Sequence, residues 1–409
     1  MASQTKNSRD SIFLTLCIMG IFAILSSTMS KNPVLNPFAT NLGTPEVWSG
    51  FVGSASTIPG ILISLPAASL SDKYGRKKFL LMAGFVFASA PFLYLLITVW
   101  WQLILVRFYH GFATAIFVPV VQASIVELFP TKRGERISLF SSATYVGRGI
   151  APFLGACVLL VTNTDFHMLY LAVGAAGVTA FIVALLFLVE RRKQPITLQQ
   201  ENSKESVKGV FRGWRTVAGN HGVLIVSFVQ ACQFYTYGAV EYFLVGYLMY
   251  VVHFDWLLIG VISGSLVMPI IAKPYMGRIS DKIGRRIPII VGCIIGSLPL
   301  LIIPFVSDFS ILLLLSVVYG LGFAMVTSST PALVSELVPK ELIGTSMGFL
   351  ATIMDTGQTI GPIITGMILS TNLAYKGSFP TLTAVLLLSC VIFALSSVAK
   401  ADYKCQRQS

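Results

Sequence analysis

Apolar stretches of about 20 residues recur along the whole chain, and each is long enough to cross the hydrocarbon core of a bilayer. The 409 residues are 55% hydrophobic and only 11% charged, whereas soluble domains carry about 25% charged residues. A soluble fold could not cover its water-facing surface with so few charges. The sequence therefore predicts an all-α integral membrane protein with many transmembrane helices.

Twelve transmembrane spans are predicted, and an even number places both termini on the same side of the membrane. Most of the 29 lysines and arginines lie in loops on that side, while the opposite loops hold Lys376 alone. Because cytoplasmic loops are enriched in lysine and arginine, we expect a multi-pass protein of the cell membrane with both termini in the cytoplasm. The net charge of +12 then reflects topology, and no nucleic-acid partner is expected. The predicted spans are residues 11–32, 47–71, 79–98, 101–126, 137–160, 168–189, 222–250, 256–277, 287–305, 309–333, 345–370 and 380–399.

The two halves of the chain repeat each other. The phrase SDKYGRKK at residues 71–78 returns as SDKIGRRI at residues 280–287, which is 209 residues later. Both copies begin on the same side of the membrane, so they are parallel repeats related by an axis along the membrane normal. A long polar stretch separates six spans from six spans. We therefore predict an N-terminal six-helix bundle at residues 1–190, a cytoplasmic linker at 191–220 and a C-terminal six-helix bundle at 221–409.

The repeated phrase lies in the short loop after span 2 and after span 8, and it combines an acid, a glycine and basic residues. Glycine permits the tight turn that such a loop needs, and the basic residues favour anionic lipid headgroups. An acid among cations suggests a fixed partner, and a glutamate ends span 4 and span 10 on the same side. We expect a charge network in each half that acts in conformational gating; a solvated loop is the alternative. The residues are Asp72, Gly75, Arg76 and Glu127 in the first half, and Asp281, Gly284, Arg285 and Glu336 in the second.

These loops resemble the signature loop of the major facilitator superfamily, although the first copy has Ala68 where the family motif begins with glycine. The segment LVRFYHGFATA around Arg107 resembles the span-4 motif of proton-coupled members, with His110 in place of a glutamine. The segment GRGIAPFLGA at residues 147–156 resembles the span-5 motif of the twelve-helix drug:proton antiporters. The resemblance implies two six-helix bundles that alternate access to a central site. It also implies that the loops stabilise one state and that Arg107 tunes proton release.

Six charged residues fall inside or near the ends of spans, where charges are costly and usually face a cavity. We predict Asp355 as the first proton-coupling group and Glu241 as the second, since these are the acids at depth. A permanent ion pair between Asp355 and Arg148 is the alternative. His110, one turn from Arg107, could titrate near neutral pH or could be a hydrogen-bonded core residue. The six charged residues are Lys31, Arg107, Arg148, Glu241, Lys273 and Asp355.

Cations and aromatic rings are the candidate substrate contacts. Within the spans the cations outnumber the acids, which suits an anionic or zwitterionic substrate and points to Arg148 and Lys31. Tyrosines in spans could line an amphipathic pocket or could serve as packing. Pro152 and Pro362 each remove a backbone hydrogen bond and bend their helices, so we expect them to act in gating. The candidate tyrosines are Tyr145, Tyr235 and Tyr237.

The sequence favours a monomeric secondary transporter that exports small amphipathic organic compounds in exchange for protons. Proton-coupled uptake or exchange of a small organic anion or metabolite is the alternative, which the excess of cations favours. An enzyme is not expected, because the sequence lacks a phosphate-binding loop, a nucleophile–base motif and metal-ligand spacing. The expected partners are a small-molecule substrate, protons and membrane lipids, without a metal or cofactor.

Overall fold

The computed structural model describes residues 2–129, 133–192, 214–339 and 342–396, and within them the regular structure is helical. Ten helical stretches in this part of the chain are long and apolar enough to cross a membrane. Two further helical passages complete the repeat. One is broken into Trp256–Val267 and Lys273–Ile283, and the other, Ile343–Leu369, is less apolar because it carries Asp355 and several glycines.

Each half of the chain supplies six spans. In the first half the helices are Ala2–Met29 (span 1), a short helix Leu35–Asn41, Glu46–Ser54 and Ile58–Tyr74 (span 2), Arg76–Tyr94 (span 3), Trp100–Leu128 (span 4), Arg133–Val161 (span 5) and Phe166–Arg192 (span 6). In the second half they are His221–Tyr250 (span 7), Trp256–Val267 and Lys273–Ile283 (span 8), Arg286–Ile302 (span 9), Phe309–Glu336 (span 10), Ile343–Leu369 (span 11) and Ala374–Leu395 (span 12).

Spans 2 and 8 are each broken into two helical segments. A turn that contains Ser56 interrupts span 2, and the 3-10 segment Met268–Ala272 interrupts span 8. A glycine of a neighbouring span lies against each break. A Cβ atom on Gly111 would lie 2.3 Å from the carbonyl oxygen of Ser56, and one on Gly320 would lie 2.6 Å from that of Leu266. Spans 4 and 10 can therefore approach the broken spans this closely because both positions lack a side chain.

Contacts divide the chain into two compact units, each formed mostly by one half of the sequence. Unit 1 also holds the first part of span 8, and unit 2 also holds the first residues of span 2. The predicted division at the linker stays a prediction, and residues 193–213 of that linker lie outside the described part of the chain. Unit 1 comprises Met1–Pro45, Phe51–Leu198 and His253–Gly264, and unit 2 comprises Glu46–Gly50, Gln199–Val252 and Ser265–Ser409.

The two exchanged segments are held by specific contacts within their units. In unit 1, Trp256 Nε1 at the start of span 8 donates a hydrogen bond to Thr164 Oγ1 at 2.8 Å. In unit 2, the hydroxyls of Ser49 and Tyr242 lie 3.0 Å apart in a hydrogen bond. The first part of each broken span therefore packs against spans from the other half of the sequence, whereas its second part packs within its own half.

Close helix packing stabilises each unit at repeated glycines. A Cβ atom on Gly147 of span 5 would lie 2.3 Å from the carbonyl oxygen of Ile21, and one on Gly357 of span 11 would lie 2.2 Å from that of Ala231. Lipid tails are as apolar as a protein core, so helices in a membrane associate through van der Waals packing, and small residues permit it. The pairs span 1–span 5 and span 7–span 11 are thus fixed by equivalent glycines of the repeat.

Candidate functional site

The first copy of the repeated loop holds an ion pair between the start of span 3 and the end of span 4. Arg76 Nε donates to Glu127 Oε1 at 2.6 Å, and Arg76 Nη1 donates to Ser71 Oγ at 2.9 Å. Gly75 has a φ of +97° and separates the two helices at the turn. The side chain of Asp72 lies outside the described part of the chain, so its contact stays a prediction.

The second copy builds the same arrangement between the ends of spans 8 and 10. Arg285 Nε donates to Glu336 Oε1 at 3.0 Å, and Arg285 Nη1 donates to Ser280 Oγ at 3.3 Å. Arg285 also forms an ion pair with Asp281, one helical turn earlier. Gly284 has a φ of +86°. In both copies an arginine therefore joins a glutamate on a neighbouring span to a serine that precedes the turn.

Arg107 of span 4 is almost fully buried, with 2% of its surface exposed. Its Nη2 donates to Ser56 Oγ at 2.6 Å, at the break in span 2. Among the described residues no carboxylate forms an ion pair with Arg107. The break favours the charge, because the C-terminal end of the helix that finishes at Ser54 carries partial negative charge from the helix dipole, and this stabilises a nearby cation.

His110 lies one turn after Arg107 and is equally buried. Its Nδ1 is 3.4 Å from the hydroxyl of Tyr94, and the Tyr94 ring stacks on Tyr170 with centroids 4.2 Å apart. The hydroxyl of Tyr170 in turn donates to the carbonyl oxygen of Ser30 at 3.5 Å. The structure thus places His110 in a buried chain of two hydrogen bonds and one ring stack, with residues of spans 3, 4 and 6 and the end of span 1.

An aromatic stack connects two intramembrane charges in unit 2. The rings of Tyr237 and Phe323 are stacked with centroids 4.5 Å apart, and Phe234 meets Phe323 edge-on at 5.2 Å. Lys273 Nζ lies over the Phe323 ring, 5.4 Å from its centroid, in a cation–π contact. At the other end, the Tyr237 hydroxyl donates to Glu241 Oε1 at 3.4 Å. An ammonium group, two stacked rings and a carboxylate therefore stand in series.

The remaining candidate charges are half-buried within or just after their spans. Asp355 lies midway along span 11, and its carboxylate forms no ion pair with any described residue. The Arg148 guanidinium on span 5 likewise has no ion-pair partner among the described residues. Lys31 follows the end of span 1, and Tyr145 precedes Arg148 on span 5; both side chains are half-buried.

The two candidate tyrosines of span 7 lie on different faces of the helix. Tyr237 packs on Phe323, whereas Tyr235 lines a separate apolar groove with residues of span 11. Residues two positions apart in an α-helix project about 200° apart around the axis. The structure therefore does not bring Tyr235 and Tyr237 into one pocket.

Pro152 and Pro362, for which the sequence predicts a role in gating, lie inside long helices. Pro362 has no N–H, so the carbonyl of Gln358 lacks its intrahelical donor. That carbonyl lies against Gly238, where a Cβ atom would be 2.8 Å away. The carbonyl oxygen of Pro362 itself lies against Gly50, 2.1 Å from where a Cβ atom would stand. Pro362 therefore lies where span 11 meets both span 7 and the exchanged start of span 2; Pro152 occupies the matching place in span 5.

The family model of the Major Facilitator Superfamily matches residues 13–269 and 259–404, which is nearly the whole chain. The chain belongs to this superfamily. The assignment confirms the predicted all-α fold of twelve transmembrane helices in two six-helix bundles, and it makes the protein a multi-pass membrane transporter of small molecules and not an enzyme.

Curated relatives of this superfamily member differ in substrate. The chain is 25% identical over 393 residues to the multi-drug resistance efflux pump PmrA homolog of Lactococcus lactis subsp. lactis (strain IL1403), covering 92% of each chain. It is 24% identical to the probable galactarate/D-glucarate transporter GudP of Bacillus subtilis (strain 168), covering 83% of this chain and 81% of that protein.

A solved structure shares the fold at low identity. The crystal structure of a bacterial homolog of the human lysosomal transporter Spinster, in an inward-facing and occupied conformation, superposes with a TM-score of 0.81 at 14% identity. The match covers 97% of this chain and 98% of that chain. This likeness supports the fold alone.

Several residues of these clusters do not stand out in the sequence. Ser71 and Ser280 could have been found, because both belong to the repeated phrase. Ser56 and Tyr94 carry no sequence signal, since their roles depend on which helices lie beside span 4. Phe323 is one of 28 phenylalanines, and only the rotation of span 10 brings it between Tyr237 and Lys273.

Proposed function

We propose that this transporter exports small amphipathic organic compounds in exchange for protons, by alternating access to a central site. The observation that carries the proposal is Asp355, a half-buried carboxylate midway along span 11 without an ion-pair partner among the described residues. A carboxylate inside a span is costly and is retained where it serves a substrate or proton pathway. A carboxyl group free of a fixed cation can gain and lose a proton during the cycle.

Glu241 is the second proton-coupling group in this proposal. Its carboxylate accepts from Tyr237 at one end of the aromatic stack, so its protonation state would alter a hydrogen bond next to two stacked rings. Arg107 and His110 act in unit 1, where Arg107 holds the break in span 2 through Ser56. A charge fixed there biases the protonation of groups nearby without contacting the substrate.

An amphipathic substrate suits the chemistry of unit 2. Phe234 is half-buried at the edge of the Tyr237–Phe323 stack, and Glu241 and Lys273 mark the two ends of that stack. Apolar surfaces with a few placed polar groups are typical of small-molecule sites. Relatives that are named as multidrug efflux pumps, such as the Lactococcus protein, support this substrate class.

The paired loops serve conformational gating in the proposal. The ion pairs Arg76–Glu127 and Arg285–Glu336 join neighbouring spans at one end of each unit, and breaking or forming them would bias one state over another. Pro152 and Pro362 supply the bends at which spans 5 and 11 can yield. The basic loops make this end cytoplasmic, with both termini inside the cell and the protein a monomer in the cell membrane.

The alternative is proton-coupled uptake or exchange of a small organic anion or metabolite. Arg148 favours it, because this half-buried guanidinium has no carboxylate partner within the described residues and guanidinium groups bind carboxylates in a bidentate manner. Lys31 would add a second cation. The relative that is named as a sugar-acid transporter supports this substrate class.

Purified protein in liposomes with an internal pH dye separates the two functions. Lipophilic cations, zwitterions and small organic anions are added in turn under an imposed pH gradient. Proton movement triggered by amphipathic cations supports the proposal, and Asp355→Asn should then abolish it while substrate exchange persists. Asp308→Asn is the control, since asparagine keeps the N-cap hydrogen bond to Ile311 at the start of span 10. Proton movement triggered only by anions, and lost in Arg148→Gln, would replace the proposal with the alternative.

A further inference from the structure

An apolar groove runs along unit 2 between spans 7, 11 and 12. It encloses a volume of about 410 Å³, within the range of about 300–1,000 Å³ that holds small ligands. Span 7 supplies one wall, span 11 the other, and Val385 of span 12 closes the side. The walls meet at the tight seam where Gly357 lies against Ala231. From Leu224 to Tyr235 the groove extends about 16 Å along span 7, at 1.5 Å per residue.

The groove faces away from the candidate transport site. On span 7 its lining residues lie about a third of a turn from Tyr237 and Glu241, by the 100° rotation per helical residue. Three large apolar side chains on its rim, Leu224, Phe228 and Ile360, are exposed. Leu224 and Phe228 lie in the first turns of span 7, and Ile360 lies within span 11. Exposed apolar side chains of a membrane-crossing helix suit contact with lipid tails, so we infer that the groove opens to the hydrocarbon of the bilayer.

Two buried polar atoms along the groove have no partner among the described residues. Ser227 lines the groove and is 1% exposed, and its Oγ makes no hydrogen bond. Trp214 packs edge-on against Phe349, a lining residue, with ring centroids 5.8 Å apart. The indole Nε1 of Trp214 is buried and has no hydrogen-bond acceptor among the described residues. A buried donor without a hydrogen bond is unfavourable, so the indole N–H of Trp214 indicates a bound polar group.

Positive charge accompanies Trp214 at this end of the groove. Arg215 is exposed next to Trp214. Juxtamembrane cations attract anionic lipid headgroups, and an indole N–H donates to phosphate or ester oxygens. The apolar groove, the donor and the cation follow the order of tail, ester and phosphate in a phospholipid.

We propose that this groove binds one acyl chain of an anionic phospholipid from the leaflet around the start of span 7, where Trp214 and Arg215 lie. The chain lies between spans 7 and 11, and the ester and phosphate oxygens are held by Trp214 Nε1 and Arg215. Span 12 closes one side of the groove, so the bound chain also supports the contact of span 12 with span 7. The site is separate from the transport pathway, and its occupancy does not depend on the substrate.

Quenching of Trp214 fluorescence by brominated phospholipids tests the proposal on the full-length protein in liposomes. The signal of Trp214 is the difference between the parent and Trp214→Phe. Brominated phosphatidylglycerol should quench that signal in a saturable manner, with half-maximal quenching at a mole fraction about fivefold lower than for brominated phosphatidylcholine, the factor that one surface cation supplies. Arg215→Gln should remove this preference.

Ala231→Phe fills the groove and should make the quenching proportional to the mole fraction of brominated lipid. Ala351→Phe is the matched control, because Ala351 is an exposed alanine of span 11 that does not line the groove, and it should leave saturation unchanged. Size-exclusion profiles and helix content equal to those of the parent establish that each variant is folded. Three results would each overturn the proposal: equal quenching by the two lipids, saturation that survives in Ala231→Phe, or a Trp214 signal that no brominated lipid quenches. The last result would assign the mouth of the groove to another segment of the chain.

Discussion

Replacing Gly357 by alanine should force spans 7 and 11 apart. The new Cβ atom would lie 2.2 Å from the carbonyl oxygen of Ala231 and 2.9 Å from its carbonyl carbon. These are backbone atoms of a long helix and cannot rotate away. Gly344, on the same helix, has nothing within 4 Å of the position of its Cβ. Gly344→Ala therefore has the same change in composition without the steric conflict.

The difference between the two variants isolates the steric term. Alanine gains up to about 0.5–1 kcal/mol of helix propensity relative to glycine in a helix interior. Gly344 is the second residue of the helix and gains less, so this contribution cancels only in part, and the steric cost alone gives an upper value for the difference. Relieving the contact in Gly357→Ala requires a separation of roughly 1 Å along a packed seam, and overpacking of this kind costs about 1–3 kcal/mol. For a domain of roughly 150–250 residues, the unfolding temperature falls by about 2–4 °C for each kcal/mol of lost stability. Gly357→Ala should therefore unfold at a temperature about 2–12 °C below that of Gly344→Ala.

A maleimide dye that fluoresces on reaction with thiols measures this difference in detergent. Both variants are made in a background in which Cys17, exposed Cys157 and Cys405 are replaced by alanine. The remaining Cys232, Cys293 and Cys390 are buried in unit 2, so the dye reports the temperature at which that unit opens. Equal unfolding temperatures for the two variants, in protein that elutes normally, would refute the reasoning. The seam between spans 7 and 11 would then tolerate a methyl group, and the repeated glycines would need another explanation.

Three further predictions concern the loops, the buried Arg107 and the half-buried Arg136. Asp72→Asn and Asp281→Asn should lower the transport rate more than substrate affinity, because the loop network biases states without contacting substrate; an equal loss in both would contradict this assignment. Ser56→Ala removes the 2.6 Å hydrogen bond of buried Arg107 and should lower the unfolding free energy by about 1.5–3 kcal/mol. The control Ser49→Ala loses a hydrogen bond between neutral groups and should lower it by about 0.5–1.5 kcal/mol. Equal shifts of the unfolding temperature in the two variants would argue against a buried charge at Ser56. Arg136 lies 4.8 Å from the Phe13 ring centroid and 4.5 Å from that of Phe129, so Arg136→Lys should lower stability by about 1 kcal/mol even though its charge remains beside Asp10, and an unchanged thermal transition would show that the rings contribute nothing.

The sequence predicts the architecture of this chain well because the bilayer demands it. A passage through the hydrocarbon requires about 20 apolar residues, and each predicted span corresponds to a helical passage of the structure. The breaks in spans 2 and 8 were not predicted, although Pro59 and Pro269 lie at or next to them. A proline in a span is compatible with a bend as well as a break, and the neighbouring spans decide between the two.

The sequence predicts the ion pairs of the two loops, because both copies of the repeat contain them, but it does not predict the other side-chain clusters. Arg76 with Glu127 and Arg285 with Glu336 could be paired because the same four residues recur at a fixed spacing. The separation of Tyr235 from Tyr237 follows from helix geometry alone. The contact of Lys273 with Phe323 depends on the rotation of span 10 against span 8, which is set by the packing of whole helices and leaves no local pattern.

The ion pairs Arg76–Glu127 and Arg285–Glu336 differ in their exposure to water, and this difference determines how strongly each depends on ionic strength. In the first copy the side chains of Arg76 and Glu127 are 10% and 32% exposed, whereas those of Arg285 and Glu336 are 17% and 50% exposed. Dissolved ions screen exposed pairs more than buried ones. A rise in salt on that side of the membrane therefore weakens Arg285–Glu336 before Arg76–Glu127, so the duplicated halves of this transporter do not respond equally to ionic strength.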